Sequence, residues 1–149
     1  IYTFSMHAAR NYPAVKPRGD LDVDLPDGTS DAEYLELLER NLAYAQARSR
    51  ADAAIYLAGA DPYVGDKLGY LSLSKNGLRR RDQMVFDHCR RQALPVSISM
   101  AGGYAPEVAD IVDIHYATIE CAAQLARDGH WYPPQKPTSV FACVAAAED

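Results

Sequence analysis

The chain has 149 residues, 48% of them hydrophobic and 23% charged, enough for one domain with its own core and too few for two ordinary ones. Fifteen Lys and Arg against twenty Asp and Glu leave a net charge of −5, which argues against nucleic acid as a partner, since non-specific binding needs a basic surface. No apolar run approaches the roughly 20 residues of a membrane span, and no basic flank marks a signal peptide, so the expected setting is cytoplasmic, without a membrane.

Residues 2–7 alternate in the manner of a short strand, and the chain opens on Ile1, inside that element, which suggests a piece of a longer domain. Residues 8–29 read as loop: Asn11-Tyr12-Pro13, Lys16-Pro17-Arg18-Gly19 and Leu25-Pro26-Asp27-Gly28 are turn chemistry, and loops this long in compact domains are usually functional. Ser30-Asp31-Ala32-Glu33 forms a capping box before Leu35, Leu38, Leu42 and Ala45, which predicts an amphipathic helix to about Arg48. The apolar run 53–58 predicts a strand covered on both faces. After a second loop, Ser74 caps a helix whose buried face is Leu78, Val85, Phe86, Cys89 and Ala93, and Pro95 ends it. Val96–Ala101 is a third strand. Pro106 suits the first position of a third helix, with Val108, Ile111, Val112, His115, Ile119 and Ala122 as its apolar stripe. The tail from His130 reads as irregular, with a last strand at 139–144.

Alternating strands and helices predict an α/β fold with a mostly parallel sheet, whose ligands sit outside the carboxyl ends of the strands. His7, Gly59-Ala60-Asp61-Pro62 and Gly102-Gly103-Tyr104 follow the three strands and should share one rim. Asp61 is placed as a metal ligand or general base, or as an Asx-turn or helix cap before Pro62; Asp66 reads as turn chemistry. Gly102 and Gly103 allow positive φ or close approach to a ligand, or simply make a tight turn that leaves Tyr104 over the sheet edge. His7 is either a ligand or proton carrier, or a hydrogen-bonded structural residue, and His115 reads as core. His88 and His130 read as solvated or packing residues. Arg79-Arg80-Arg81 with Arg90-Arg91 reads as a solvated helix face. Cys89, Cys121 and Cys143, odd in number and without a C-x-x-C pair, suggest plain reduced thiols. There is no G-x-S-x-G elbow and no phosphate-binding glycine motif.

FSMHAARNYP at 4–13, LPDGTSDAEYL at 25–35, YLAGADPYVGDKLG at 56–69 and MAGGY at 100–104, in this order, resemble the C-terminal half of the zinc-dependent histone deacetylase family, its bacterial acetoin-utilisation-type members above all. The resemblance covers residues 1 to about 125 and implies a three-layer α/β sandwich, the C-terminal portion of the arginase/deacetylase fold. It also implies that Asp61 is a zinc ligand and that the Tyr104 hydroxyl holds the developing oxyanion. Gly102, Gly103, Tyr12 and Leu68 would line the acyl tunnel, and Ser5 with the Met6 carbonyl would belong to a monovalent-cation site, potassium being the expected ion. Ala101, where relatives with longer glycine runs carry glycine, is a small departure. The larger one concerns an Asp-x-His pair of zinc ligands and two adjacent catalytic histidines. Neither is expected in this chain, which would then hold one zinc ligand where three are needed. Two readings follow. In the first, the chain is half of a deacetylase acting on acetyl-lysine, an acetylpolyamine or another small acetylated amine, inactive without its N-terminal half. In the second, it is a non-catalytic α/β domain that binds a partner, a small molecule or a second copy at the same rim. In either case a bare sheet edge is expected.

Overall fold

The computed structural model describes residues 1–127 and 140–144. Five strands and three helices follow in the order β1 (Tyr2–Ala8), β2 (Leu21–Leu25), α1 (Asp31–Ser49), β3 (Ala53–Gly59), α2 (Lys75–Arg91), β4 (Val96–Ala101), α3 (Val108–Arg127) and β5 (Val140–Val144). The strands form one sheet in the order β2-β1-β5-β3-β4, and every pairing is parallel. The α/β class and the parallel sheet are as expected, and β5 falls where the last strand was read. The stretch His130-Trp131-Tyr132-Pro133-Pro134 and the side chain of Cys143 lie outside the described residues.

Helix α1 starts where the capping box places it: the Glu33 carboxylate accepts the Ser30 N–H at 2.9 Å and the Ser30 hydroxyl at 2.8 Å. Ser74 caps α2 by accepting the Gly77 N–H at 2.9 Å. The two helix starts are locked together by Asp31, whose carboxylate accepts the Ser74 N–H at 2.8 Å and the Ser74 hydroxyl at 2.6 Å. Gly77 is required there, because a Cβ would lie 1.9 Å from Asp31 Oδ1.

One core joins one face of the sheet to all three helices. Phe4, Met6 and Ala8 of β1 and Ala54, Tyr56 and Ala58 of β3 point into it, against Leu35, Leu38 and Leu42 of α1, Leu78, Val85 and Phe86 of α2, and Ile114 and Cys121 of α3. Phe86 meets the Tyr56 ring edge-on at 5.7 Å. Burial pushes the Cys89 thiol up to about 12, so it packs as a small apolar group. His88 is buried rather than solvated, and burial holds its imidazole below the ordinary value.

Four expectations need correction. Residues 8–29 are not all loop, since Leu21-Asp-Val-Asp-Leu25 pairs with β1. β3 is not covered on both faces by described residues: Ala54, Tyr56 and Ala58 are buried, while Ile55 between them is 40% exposed. Pro106 does not open α3, which begins two residues later at Val108. The α3 stripe is also rotated: Ile111 and Ala122 do pack on the core, but Val108, Val112 and Ile119 face outward, and Ile114, Thr118 and Cys121 are the buried positions. The helix is apolar on more than one side, so periodicity alone could not choose the buried face.

Candidate active site

The parallel sheet brings the exits of β3 and β4 side by side. Gly59 is in register with Ala101, and the next residue, Ala60, donates its N–H to the Ala101 carbonyl at 3.0 Å. The loops that begin at residues 60 and 102 therefore leave the rim together. Asp61 stands at the first of these turns, half-buried, with Gly102 of the second against it. Gly102 has φ +54°, and a Cβ there would lie 2.7 Å from Asp61 Oδ1, so only glycine lets this backbone and the carboxylate approach so closely. Gly69, further along the first loop, approaches so closely that a Cβ would fall 1.7 Å from the Asp61 carbonyl oxygen.

Asp66 ties the two loops to each other. Its Oδ1 accepts the N–H groups of Leu68 at 2.8 Å and Gly69 at 2.9 Å, and its Oδ2 accepts the Tyr104 N–H at 2.5 Å. The turn role read for Asp66 is thus only half of its function, because it also places the backbone of Tyr104. With its backbone fixed there, the Tyr104 side chain stays 61% exposed at the rim. Leu68 and Tyr12 are exposed as well. Tyr12 sits in a loop folded around one ammonium: Lys16 Nζ donates to the carbonyls of Ala9 at 3.1 Å, Asn11 at 2.9 Å and Pro13 at 3.2 Å.

His7 is buried on β1, level with Gly59 because Ser5 and Leu57 both register with Val144 of the intervening β5. Two strand spacings, about 10 Å, separate β1 from β3. Its Nδ1 lies 2.8 Å from Ser5 Oγ and its Nε2 2.9 Å from Asp24 Oδ1, the latter a close contact outside hydrogen-bond alignment. Of the two readings, these contacts favour the structural one. Ser5 and Met6 lie on the same strand, Met6 buried in the core and Ser5 on the opposite face.

The reading of Arg81 as solvated is overturned. Arg81 is fully buried, with Nη1 donating to the Gly59 carbonyl at 2.7 Å and Nε donating to Asp82 Oδ1 at 2.9 Å. Asp82 also accepts the Tyr56 hydroxyl at 2.5 Å and, on Oδ2, the Thr118 hydroxyl at 2.6 Å. The signal was present in the sequence, since positions 81 and 82 fall in phase with Leu78, Val85, Phe86 and Cys89 on the apolar stripe of α2.

The expectation that Asp-x-His is missing also needs correction, because the spacing occurs at Asp113-Ile114-His115 and Asp128-Gly129-His130. The first pair is inside α3, with Asp113 held by Lys75 Nζ at 2.6 Å, not at a strand end. The second lies outside the described residues. Among the described residues no group of three or more His, Cys, Asp or Glu is placed to hold a metal. Asp61, a carboxylate at the rim, could supply one coordination position; the described residues do not complete a site.

A parallel α/β sheet with a carboxylate and a tyrosine on adjoining strand-end loops defines an α/β domain whose candidate site lies at the carboxyl rim. The comparisons with known proteins give the family. The model for the histone deacetylase domain matches residues 1–119, and the chain belongs to the histone deacetylase family. An uncharacterized protein of Picosynechococcus sp. is 40% identical over 115 residues, which is 77% of this chain and 38% of that protein. Histone deacetylase 2 of Arabidopsis thaliana is 32% identical over 115 residues, 75% of this chain and 30% of that protein. The chain therefore spans about a third of the length of these relatives. Among solved structures, acetylpolyamine aminohydrolase from Burkholderia pseudomallei has a TM-score of 0.67 at 22% identity, covering 84% of this chain and 38% of that one. An HDAC homolog complexed with SAHA has a TM-score of 0.68 at 22% identity, covering 91% and 37%. These two show the fold, and they agree with the arginase/deacetylase architecture implied by the sequence.

Proposed function

We propose that this chain supplies the C-terminal half of a zinc-dependent deacetylase site, in which water is added across the C–N bond of an acetylated amine to give acetate and the free amine. The observation that carries this reading is the junction of the two strand-end loops, where the Asp61 carboxylate lies against Gly102 and Asp66 holds the Tyr104 backbone. Zinc, when bound, polarises the scissile carbonyl and acidifies its water. Asp61 gives that ion one anionic oxygen donor, and the remaining ligands come from the rest of the domain.

The chain's own groups then have distinct tasks. Tyr104 directs its hydroxyl at the acetyl oxygen and donates a hydrogen bond that strengthens as negative charge gathers there, keeping its proton throughout. Such a donor is worth about 3–4 kcal/mol in the transition state. Gly102 and Gly103, with φ +54° and +126°, let the backbone pass beside the acyl group without side chains in the way, and Tyr12 and Leu68 wall the channel with apolar surface. Ser5 and the Met6 carbonyl are kept as the monovalent-cation position under the rim. The substrate is acetyl-lysine, an acetylpolyamine or a small acetylated amine. The partner of the chain is the N-terminal half of the domain, with a second copy as the alternative.

The test uses the full-length protein loaded with zinc and a panel of acetylated amines. Tyr104→Phe should lower kcat by about 10²–10³-fold with zinc content and KM little changed. Unchanged turnover with zinc in place overturns the oxyanion role. The reading of a non-catalytic domain draws on the single fitting carboxylate and requires that the full-length protein hold no stoichiometric zinc.

A further inference from the structure

We propose that the buried Arg81–Asp82 pair on α2 is a positioning device for the metal-binding carboxylate, acting through the peptide unit between Gly59 and Ala60. The inference rests on the reading of Asp61 as a metal ligand. The geometry is specific. Arg81 Nη1 holds the oxygen of that peptide at 2.7 Å, and the N–H of the same peptide is held by the Ala101 carbonyl at 3.0 Å. One plane is thus fixed at both ends, from α2 and from β4, immediately before Asp61. A peptide plane pinned in this way leaves the next residue little freedom in the direction it leaves the strand.

Stability alone is a poor explanation of the pair. Both side chains are about 1% exposed, and taking two charges out of water carries a heavy desolvation penalty before their attraction is counted. Apolar residues of similar volume often serve a core equally well or better. What they cannot supply is a fork of fixed donors aimed at a chosen carbonyl, which is the property of guanidinium. Asp82 in turn is oriented by three elements: it accepts from Tyr56 on β3 and Thr118 on α3 while bridging to Arg81 on α2. Arg81 also lies over the Tyr56 ring at 5.8 Å. Burial raises the Tyr56 hydroxyl well above its ordinary value, so it remains a donor. The device joins the exit of β3, which delivers Asp61, to α3, the helix that follows Tyr104.

The experiment compares wild type with Arg81→Met/Asp82→Leu and with Arg81→Lys in the full-length protein. Two quantities are read: amide hydrogen exchange at Ala60, with α1 amides as the internal standard, and zinc retention against a competing chelator. The double variant should fold, because the charges leave together. Its Ala60 amide should exchange at least about tenfold faster while α1 stays unchanged, and zinc should be held about tenfold or more less tightly. Arg81→Lys, charged but without the fork, should show the same local loosening. A double variant with wild-type exchange at Ala60 overturns the proposal, and so does one that fails to fold, since the pair is then a plain core element. Faster exchange at Ala60 with unchanged zinc retention overturns the link to the carboxylate. Asp61→Ala separates the two layers: if that variant retains zinc like wild type, the ligand reading itself fails and this inference falls with it, while Ala60 exchange still reports what Arg81 does to the backbone.

Discussion

At Gly69 and Gly102 the site depends on the lack of a single carbon atom, but the two positions fail in different ways. The atom that a Cβ at Gly69 would strike is a backbone carbonyl oxygen at 1.7 Å, which cannot move without moving the Asp61 turn. Gly69→Ala should therefore destabilise the fold by about 1–3 kcal/mol, the usual cost of overpacking, read as a lower urea midpoint with an unchanged slope. At Gly102 the atom struck is the end of a side chain, Asp61 Oδ1 at 2.7 Å, and the left-handed backbone adds about 1–2 kcal/mol of its own for a residue with a Cβ. Gly102→Ala should cost stability on that scale and in addition turn the Asp61 carboxylate away, so its mark is zinc lost from the full-length protein at temperatures where it is still folded. Equal zinc retention by the two alanine variants would show that the orientation of the Asp61 carboxylate against Gly102 does not matter to the metal.

Element by element, the strands and helices follow from local rules, and the departures have physical causes. The strand exits at Gly59 and Ala101 were legible because a parallel alternation puts strand ends on one rim, and Asp61, Gly102 and Tyr104 were legible because they lie next to those exits. β2 was hidden by its two aspartates, residues that strands disfavour, although Leu21, Val23 and Leu25 alternate cleanly. Arg81 was hidden by its neighbours Arg79 and Arg80, since a run of three charges suggests solvent even when one of them is in phase with the core. The cross-loop role of Asp66 and the helix-joining role of Asp31 could not be read from local pattern, because those partners are 38 and 43 residues away. Asp31 is the junction of α1 with α2. Asp31→Ala removes the acceptor for two Ser74 donors and should cost about 1–3 kcal/mol in chemical denaturation. Ser74→Ala, which removes the α2 cap and only one of those donors, should cost about 1 kcal/mol. A double variant should cost less than the sum, because Asp31 and Ser74 share one interaction.

Across the whole molecule, the helices shield one face of the sheet and the described residues leave much else open. β4 ends the strand order, with Met100 65% exposed on it and Ser97 and Ser99 exposed beside it. Helix α3 turns Val108, Val112, Tyr116 and Ile119 outward, at spacings of four, four and three residues, so that they form one stripe along the helix. Tyr104 lies between the edge strand and that helix in the chain. Among the described residues β4 has a strand partner on one side only, and such an edge and an outward apolar stripe are each surfaces on which further chain can pair or pack. The chain produced by itself should therefore self-associate at micromolar concentrations, and sedimentation velocity should show species heavier than a monomer. Val112→Lys with Tyr116→Glu places charges in the middle of the stripe without touching the core and should return the chain toward monomer while leaving its circular dichroism unchanged. Co-expression with the preceding portion of the domain should do the same for the unmutated chain, because that portion would occupy the edge. A wild-type chain that sediments as a monomer through the micromolar range would show that this edge and stripe are covered from within, and would remove the reason to expect a second half to dock there.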